Sequence, residues 1–94
     1  MTAERYADVW DAIAKSPAEA KNMKLRTKLM VLLCERIKAE KWTQAEAASR
    51  LGVTQPRISD LMRGKISAFS LDALVEMLEA AGVSVDFTHS LAAA

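Results

Sequence analysis

The sequence predicts an all-α domain of five to six helices that ends in one short β-strand. Residues that start and stop helices alternate along the chain, and the apolar residues between them recur every three or four positions. Strict alternation of apolar and polar residues occurs only in residues 83–88, where it indicates a half-buried strand.

The N-terminal part of the chain predicts two helices separated by a break. Residues 4–15 carry an apolar stripe at helical spacing, formed by Tyr6, Val9, Trp10 and Ile13. Ser16 and Pro17 then start a new helix, since proline loses nothing at a position where the N–H is unpaired. Residues 23–40 predict a long helix whose core-facing residues are Leu25, Leu29, Leu32, Leu33 and Ile37.

The centre of the chain holds two short helix signatures separated by one glycine. Thr43 and Glu46 have the spacing of a capping box, in which each side chain satisfies a backbone N–H at the helix start. Gly52 can turn the chain sharply, and Thr54 caps the second helix. The residues expected to pack the two helices together are Ala48, Leu51, Val53, Ile58 and Leu61. This is the layout of a helix-turn-helix.

The outward face of the second helix is polar. It carries Gln55, Pro56, Arg57, Ser59, Asp60 and Arg63. Polar residues on a helix exterior are usually just solvated, so no single one of them identifies a function. Combined with the preceding turn, they indicate a surface that recognises another molecule.

Charge is divided unevenly along the chain, although the net charge is only +1. Residues 21–65 hold eleven Lys or Arg against four Asp or Glu, a balance of +7, while the flanks hold two against eight, a balance of −6. A basic centre favours DNA, because neutralising phosphates releases counterions. The alternative is that lysines such as Lys24, Lys28 and Lys38 merely solvate the long helix.

Composition excludes several classes of protein. At 94 residues the core is marginal for a monomer, so oligomerisation is expected. No apolar run could span a membrane and no signal peptide is apparent, which predicts a cytoplasmic protein. His89 stands alone without metal-ligand spacing, so we expect no enzyme, metal or cofactor. Cys34 is expected to be a buried small hydrophobe.

The chain resembles the Xre/Cro-type family of DNA-binding regulators, which have a lambda-repressor-like fold. The resemblance lies in residues 70–74 and in Gln44, Ala48, Gly52, Val53, Thr54, Gln55, Ile58, Leu61 and Gly64. A narrower resemblance, to HigA-like antitoxins of bacterial toxin–antitoxin operons, lies in residues 6–10, 23–26 and 55–65. Ala47 departs from the family, which often has a larger aliphatic residue there.

The first function that we expect is that of a homodimeric regulator that binds an inverted-repeat operator in double-stranded DNA, and the broader resemblance supports the roles of its DNA-contacting residues. The expected base contacts are Thr54, Gln55, Pro56, Arg57, Ser59 and Asp60. Gln55 suits adenine, Arg57 suits guanine or a phosphate, and Asp60 suits cytosine N4, whereas Pro56 offers only apolar contact. The expected phosphate contacts are Thr43, Gln44, Arg63, Lys65 and Ser67.

The narrower resemblance implies a protein partner, a RelE/HigB-like ribonuclease toxin, and repression of the chain's own operon. The expected toxin contacts are Tyr6, Val9, Trp10 and Ile13, which could instead pack on the chain's own long helix. A stand-alone repressor without a toxin is the alternative function.

Three segments follow from these expectations: an N-terminal extension (1–22), the helix-turn-helix domain (23–82) and a strand with a tail (83–94). The strand needs a pairing partner, which is a two-fold mate, another protein or an irregular local segment. A two-fold mate would make Val83, Val85 and Phe87 the dimer interface.

Overall fold

The computed structural model describes residues 15–86 of the chain. This range forms four α-helices and one 3-10 turn: α1 (Pro17–Ala39), α2 (Gln44–Leu51), α3 (Gln55–Met62), the 3-10 turn (Ile66–Ala68) and α4 (Leu71–Ala80). The fold is therefore helical, as predicted. The predicted total of five to six helices is not reached here, and the helix predicted over residues 4–15 lies outside the described residues.

All four helices begin with a hydroxyl side chain that caps the first turn. Ser16, Thr43, Thr54 and Ser70 each accept a hydrogen bond from the backbone N–H three residues later, at 3.1–3.4 Å. Thr43 and Glu46 complete the predicted capping box, because the Glu46 carboxylate also accepts from the Thr43 N–H. Such caps typically contribute about 1 kcal/mol each, and they fix where each helix starts.

The long helix α1 turns a different face to the core than its leucines predict. Its buried residues are Ala20, Thr27, Met30, Leu33 and Ile37. Leu25 and Leu32 are instead 42% and 47% exposed, so their assignment to the core was wrong. The physical reason is that α1 carries apolar residues on more than one side, and periodicity alone cannot say which side meets the other helices.

The predicted boundary between the N-terminal extension and the central domain falls inside α1. The helix starts at Pro17, as the proline predicts, and continues to Ala39 without a break at residues 22 and 23. No helix in the described part of the chain is both long and apolar enough to cross a membrane.

One hydrophobic core joins all the elements. Its fully buried large side chains are Leu33, Ile58, Leu61, Phe69, Leu74 and Leu78. The expected packing of α2 on α3 is confirmed, with Ala48, Leu51, Ile58 and Leu61 buried and Val53 partly buried against them. Ala47 is also fully buried, so this position belongs to the core although its side chain is small.

The turn between α2 and α3 depends on Gly52. Its φ of +69° is left-handed, a conformation that costs most other residues free energy. The Val53 N–H donates to the Ala48 carbonyl at 3.0 Å across this turn, which satisfies a carbonyl that the helix end would leave unpaired. The turn therefore fixes the direction in which α3 leaves α2.

The predicted C-terminal strand is not present in residues 83–86, which form an irregular segment. The Val83 N–H donates to the Leu78 carbonyl at 2.9 Å, and the Val85 N–H donates to Glu79 Oε1 at 3.2 Å. Both valines pack partly buried against the core. Because residues of α4 accept the hydrogen bonds of these two amides, the amides do not require a neighbouring strand. Phe87 lies outside the described residues.

Candidate nucleic-acid interface

The N-terminal end of α3 projects from the core into solvent. Thr54, Gln55 and Pro56 are exposed, while Ile58 and Leu61 on the opposite side of the helix are buried. The buried pair holds α3 against α2. The exposed side chains therefore project from a helix whose position is fixed, as side chains that contact the edges of DNA bases require.

The expected base contacts divide into two groups. Gln55 and Pro56 are exposed, and neither side chain makes a hydrogen bond to the residues that the structure describes. Ser59 and Asp60, one turn further along, are half-buried. Thr54 is exposed, but its hydroxyl caps α3 through the Arg57 N–H. Of the expected readers, Gln55 is an exposed residue whose hydrogen-bonding side chain has no partner among residues 15–86.

Arg57 faces the connection between α3 and α4 instead of projecting beside Gln55. Its Nη1 donates to the Ala68 carbonyl at 2.7 Å, and its guanidinium lies over the Phe69 ring, 4.3 Å from the ring centre. Phe69 is buried. A guanidinium with both a carbonyl and an aromatic face as partners is held in place, so Arg57 here ties α3 to the 3-10 turn.

A small charge cluster lies at the C-terminal end of α3. The Asp60 carboxylate accepts from Arg63 Nη2 at 3.1 Å and lies 3.5 Å from Lys65 Nζ. Both cations are more than half exposed. The expected base contact Asp60 thus pairs with two expected phosphate contacts, and its charge offsets part of theirs.

The remaining expected phosphate contacts lie on other elements. Thr43 and Gln44 are exposed at the start of α2, where the Thr43 hydroxyl serves the capping box. Ser67 is exposed on the 3-10 turn. The start of a helix attracts anions through its unpaired N–H groups and dipole, so Gln44 occupies a position that suits a phosphate.

A second arginine, Arg26, was missed by the sequence analysis. It reaches from α1 to the α3–α4 connection, where Nη1 donates to the Ile66 carbonyl at 3.3 Å and to the Phe69 carbonyl at 3.2 Å. Residues 66–69 are therefore held by Arg26 on one side and Arg57 on the other. No local signal predicts these two contacts of Arg26, because Ile66 and Phe69 lie 40 or more residues further along the chain.

The basic centre is used partly by the fold itself. Arg36 Nε donates to the Ala81 carbonyl at 3.0 Å, and the Arg50 guanidinium lies 5.0 Å from the centre of the Trp42 ring. With Arg26 and Arg57, four arginines of this region hold structural contacts to uncharged groups. Such contacts leave each arginine positively charged but fix the position of its guanidinium.

The other predicted contacts cannot be placed in this interface. Tyr6, Val9, Trp10 and Ile13 precede the described residues, and Phe87 follows them. Val83 and Val85 lie in the irregular segment that follows α4.

Comparison with known families supports the motif that the geometry displays. A family model described as a helix-turn-helix domain matches residues 12–88, a range that covers all the elements described above. No curated protein matches the chain. The matched range includes α2, the Gly52 turn and α3 together with the helices that support them, and the chain therefore belongs to the helix-turn-helix domain family.

Proposed function

We propose that this protein is a sequence-specific DNA-binding transcriptional regulator in which α3 enters the major groove. The observation that carries the proposal is the exposed N-terminal end of α3, with Gln55 and Pro56 in solvent and Ile58 and Leu61 in the core. Helix-turn-helix proteins meet bases with this part of their second helix. The proposed action is binding, not catalysis.

Phosphate contacts would set the position of α3 in the groove. Gln44 at the start of α2, Ser67 on the 3-10 turn, and Arg63 and Lys65 beyond α3 are all exposed. Such contacts supply affinity and register but do not read sequence. We propose these four side chains for that role.

The experiment is selection of duplexes from a random DNA pool by the full-length chain, followed by titration of the enriched sequence at increasing salt. We expect a short enriched motif and an affinity that falls steeply with salt. Gln55→Ala is the matched variant, since it changes the reading face without touching the core. A pool that stays random after repeated selection would contradict the proposal.

A homodimer is the second part of the proposal. Half-sites one turn apart, about 34 Å, suit two copies of α3 related by a two-fold axis. Val83, Val85 and Phe87 are the proposed interface, and the two valines are only partly buried within one chain. The solution mass of a Val85→Asp variant tests this. A variant that stays dimeric at micromolar concentration would exclude the segment as the interface.

The antitoxin role is a narrower proposal that is supported by the sequence resemblance in residues 6–10, 23–26 and 55–65. In that role the chain would neutralise a RelE/HigB-like toxin through Tyr6, Val9, Trp10 and Ile13 and repress its own operon. Co-expression with the product of a neighbouring toxin-like gene tests it, because a neutralised toxin no longer arrests growth. Growth arrest that persists would favour the alternative, a stand-alone repressor.

A further inference from the structure

Arg26 is an α1 residue that holds the α3–α4 connection through two backbone carbonyls. Its Nη1 donates to the Ile66 carbonyl at 3.3 Å and to the Phe69 carbonyl at 3.2 Å. One nitrogen atom therefore fixes the direction of two peptide groups. Both peptide groups are trans, since the described part of the chain contains no cis peptide bond.

The direction of each carbonyl sets the direction of the amide that follows it. In a trans peptide group the C=O and the N–H point to opposite sides. Because the Ile66 carbonyl points to Arg26, the N–H of Ser67 points away from it. The Phe69 carbonyl fixes the N–H of Ser70 in the same way. Both serines are exposed, and neither N–H has an acceptor in the part of the chain that the structure describes.

The charge of Arg26 is not neutralised by any carboxylate of residues 15–86. Its remaining contacts are weak, because Nη2 donates to the Met23 sulfur at 2.9 Å and the buried Nε has no hydrogen-bond partner there. A buried donor without a partner costs the fold free energy. An apolar side chain could fill the same space without this cost, so packing alone does not account for an arginine at this position.

Arg57 places a second guanidinium beside the same stretch of backbone. Its partners are the Ala68 carbonyl at 2.7 Å and the Phe69 ring, and no carboxylate of the described residues pairs with it. Two positive charges without a carboxylate partner thus lie beside the connection that carries the unpaired amides. Backbone amides that are held next to fixed positive charge form a surface that binds anions.

We propose that Arg26 is a positioning residue for DNA binding. It turns the amides of Ser67 and Ser70 towards one phosphate of the duplex backbone and supplies positive charge behind them. Arg26 acts through the connection and needs no contact with the phosphate. This inference rests on the proposed function, because it names a phosphate that the connection contacts when α3 lies in the major groove.

The test uses the full-length chain and the operator obtained by selection, with each phosphate in turn replaced by an uncharged methylphosphonate. In wild type, replacement of a contacted phosphate should weaken binding. Ser67→Ala should reduce the effect at one position, which identifies the phosphate that meets the connection. Arg26→Met should remove most of the effect at that same position and leave base discrimination unchanged. Arg26→Lys keeps the charge but lacks the planar guanidinium, so it should reduce the effect by less.

Arg36→Met is the matched control, since Arg36 is another α1 arginine that donates to a backbone carbonyl, that of Ala81 at the end of α4. It should leave every phosphate effect unchanged. A wild-type pattern of phosphate effects in Arg26→Met would overturn the proposal, as would the same loss in Arg26→Met and Arg36→Met.

Two further outcomes keep the test decisive. If Arg26→Met does not fold, Arg26→Lys takes its place, and a wild-type pattern of phosphate effects in that variant would overturn the proposal equally. A wild-type chain that selects no operator would overturn the proposed function itself and this inference with it. Operator binding that does not depend on Arg26 would overturn this inference alone.

Discussion

Arg57 and Phe69 are stacked, with the guanidinium carbon 4.3 Å from the centre of the ring. The same guanidinium donates to the Ala68 carbonyl at 2.7 Å. This residue was expected to read a base, yet its contacts join α3 to the segment that leads into α4. The two roles make different predictions.

For the joining role, Arg57→Ala should lower the free energy of unfolding by about 1–3 kcal/mol, because it removes a charged hydrogen bond and a cation–π contact. Thermal unfolding measures this loss. Arg57→Lys is the control, because lysine keeps the positive charge but lacks the planar guanidinium that contacts the Ala68 carbonyl and the Phe69 ring. Unchanged stability in Arg57→Ala, together with relaxed discrimination at one base pair, would identify Arg57 as a reader instead.

Gln55→Ala should weaken DNA binding and leave the stability nearly unchanged, whereas Arg57→Ala in its joining role should lower the stability. The side chain is exposed and makes no hydrogen bond to the described residues, so stability should change by less than about 0.5 kcal/mol. Binding to the selected operator should weaken by about 1–3 kcal/mol, with discrimination lost at one position. Titration against operators that carry every base at each position measures this. Equal weakening on all of them would contradict a reading role.

Asp60→Asn should strengthen binding to unrelated DNA at low salt. The carboxylate pairs with Arg63 and Lys65, which are expected to contact phosphates, and its removal leaves both cations free. Stability should hardly change, because ion pairs this exposed contribute little. Lys65→Ala removes one of these cations instead. It should reduce the slope of log affinity against log salt concentration by about one unit. A decrease in non-specific affinity in Asp60→Asn would refute this view of the cluster.

Gly52→Ala should destabilise the domain by about 1–2 kcal/mol, because the left-handed φ of +69° strains a residue that has a Cβ. The penalty is conformational, since a Cβ at this position would meet no atom within 4 Å. Gly52→Asn should cost less, because asparagine tolerates this conformation. Ser49→Ala is the control on the same helix, and chemical denaturation measures all three. Equal stability of the alanine and asparagine variants at position 52 would argue against backbone strain.

Cys34 should react slowly with thiol reagents. Burial raises the pKa of its thiol, and its Sγ lies 3.8 Å from the Leu61 carbonyl. The raised pKa means that the folded chain holds the proton more tightly than the unfolded chain. Stability should therefore be constant below the pKa of an unfolded cysteine and decrease as the pH rises above it. Comparison of wild type with Cys34→Ser in alkaline unfolding checks this, and identical pH profiles would contradict it.

Local features of this fold could be predicted from the sequence. The caps at Ser16, Thr43, Thr54 and Ser70 and the turn at Gly52 each depend on residues within a few positions of one another. The exposure of Gln55 followed from the same reasoning, because Ile58 and Leu61 had to face inwards.

Features that depend on distant contacts could not be predicted in this way. Leu25 and Leu32 have the same helical spacing as core residues, and only the position of the other helices shows that they face outwards. Arg26 was counted only as part of the basic centre and Arg57 was predicted to contact a base, whereas both side chains donate to carbonyls of the α3–α4 connection. The alternation of apolar and polar residues around Val83 and Val85 predicted a strand. The pattern could not show that Leu78 and Glu79 of α4 would accept hydrogen bonds from the two valine amides.

The alternation of buried and exposed residues along α3 has a consequence for how such a protein evolves. Ile58 and Leu61 pack this helix into the core, whereas Gln55 and Pro56 are exposed to solvent. Exchanges at exposed positions usually change stability little. If α3 reads DNA as proposed, a few such exchanges would therefore change which operator the protein recognises, while the rest of the domain stays the same.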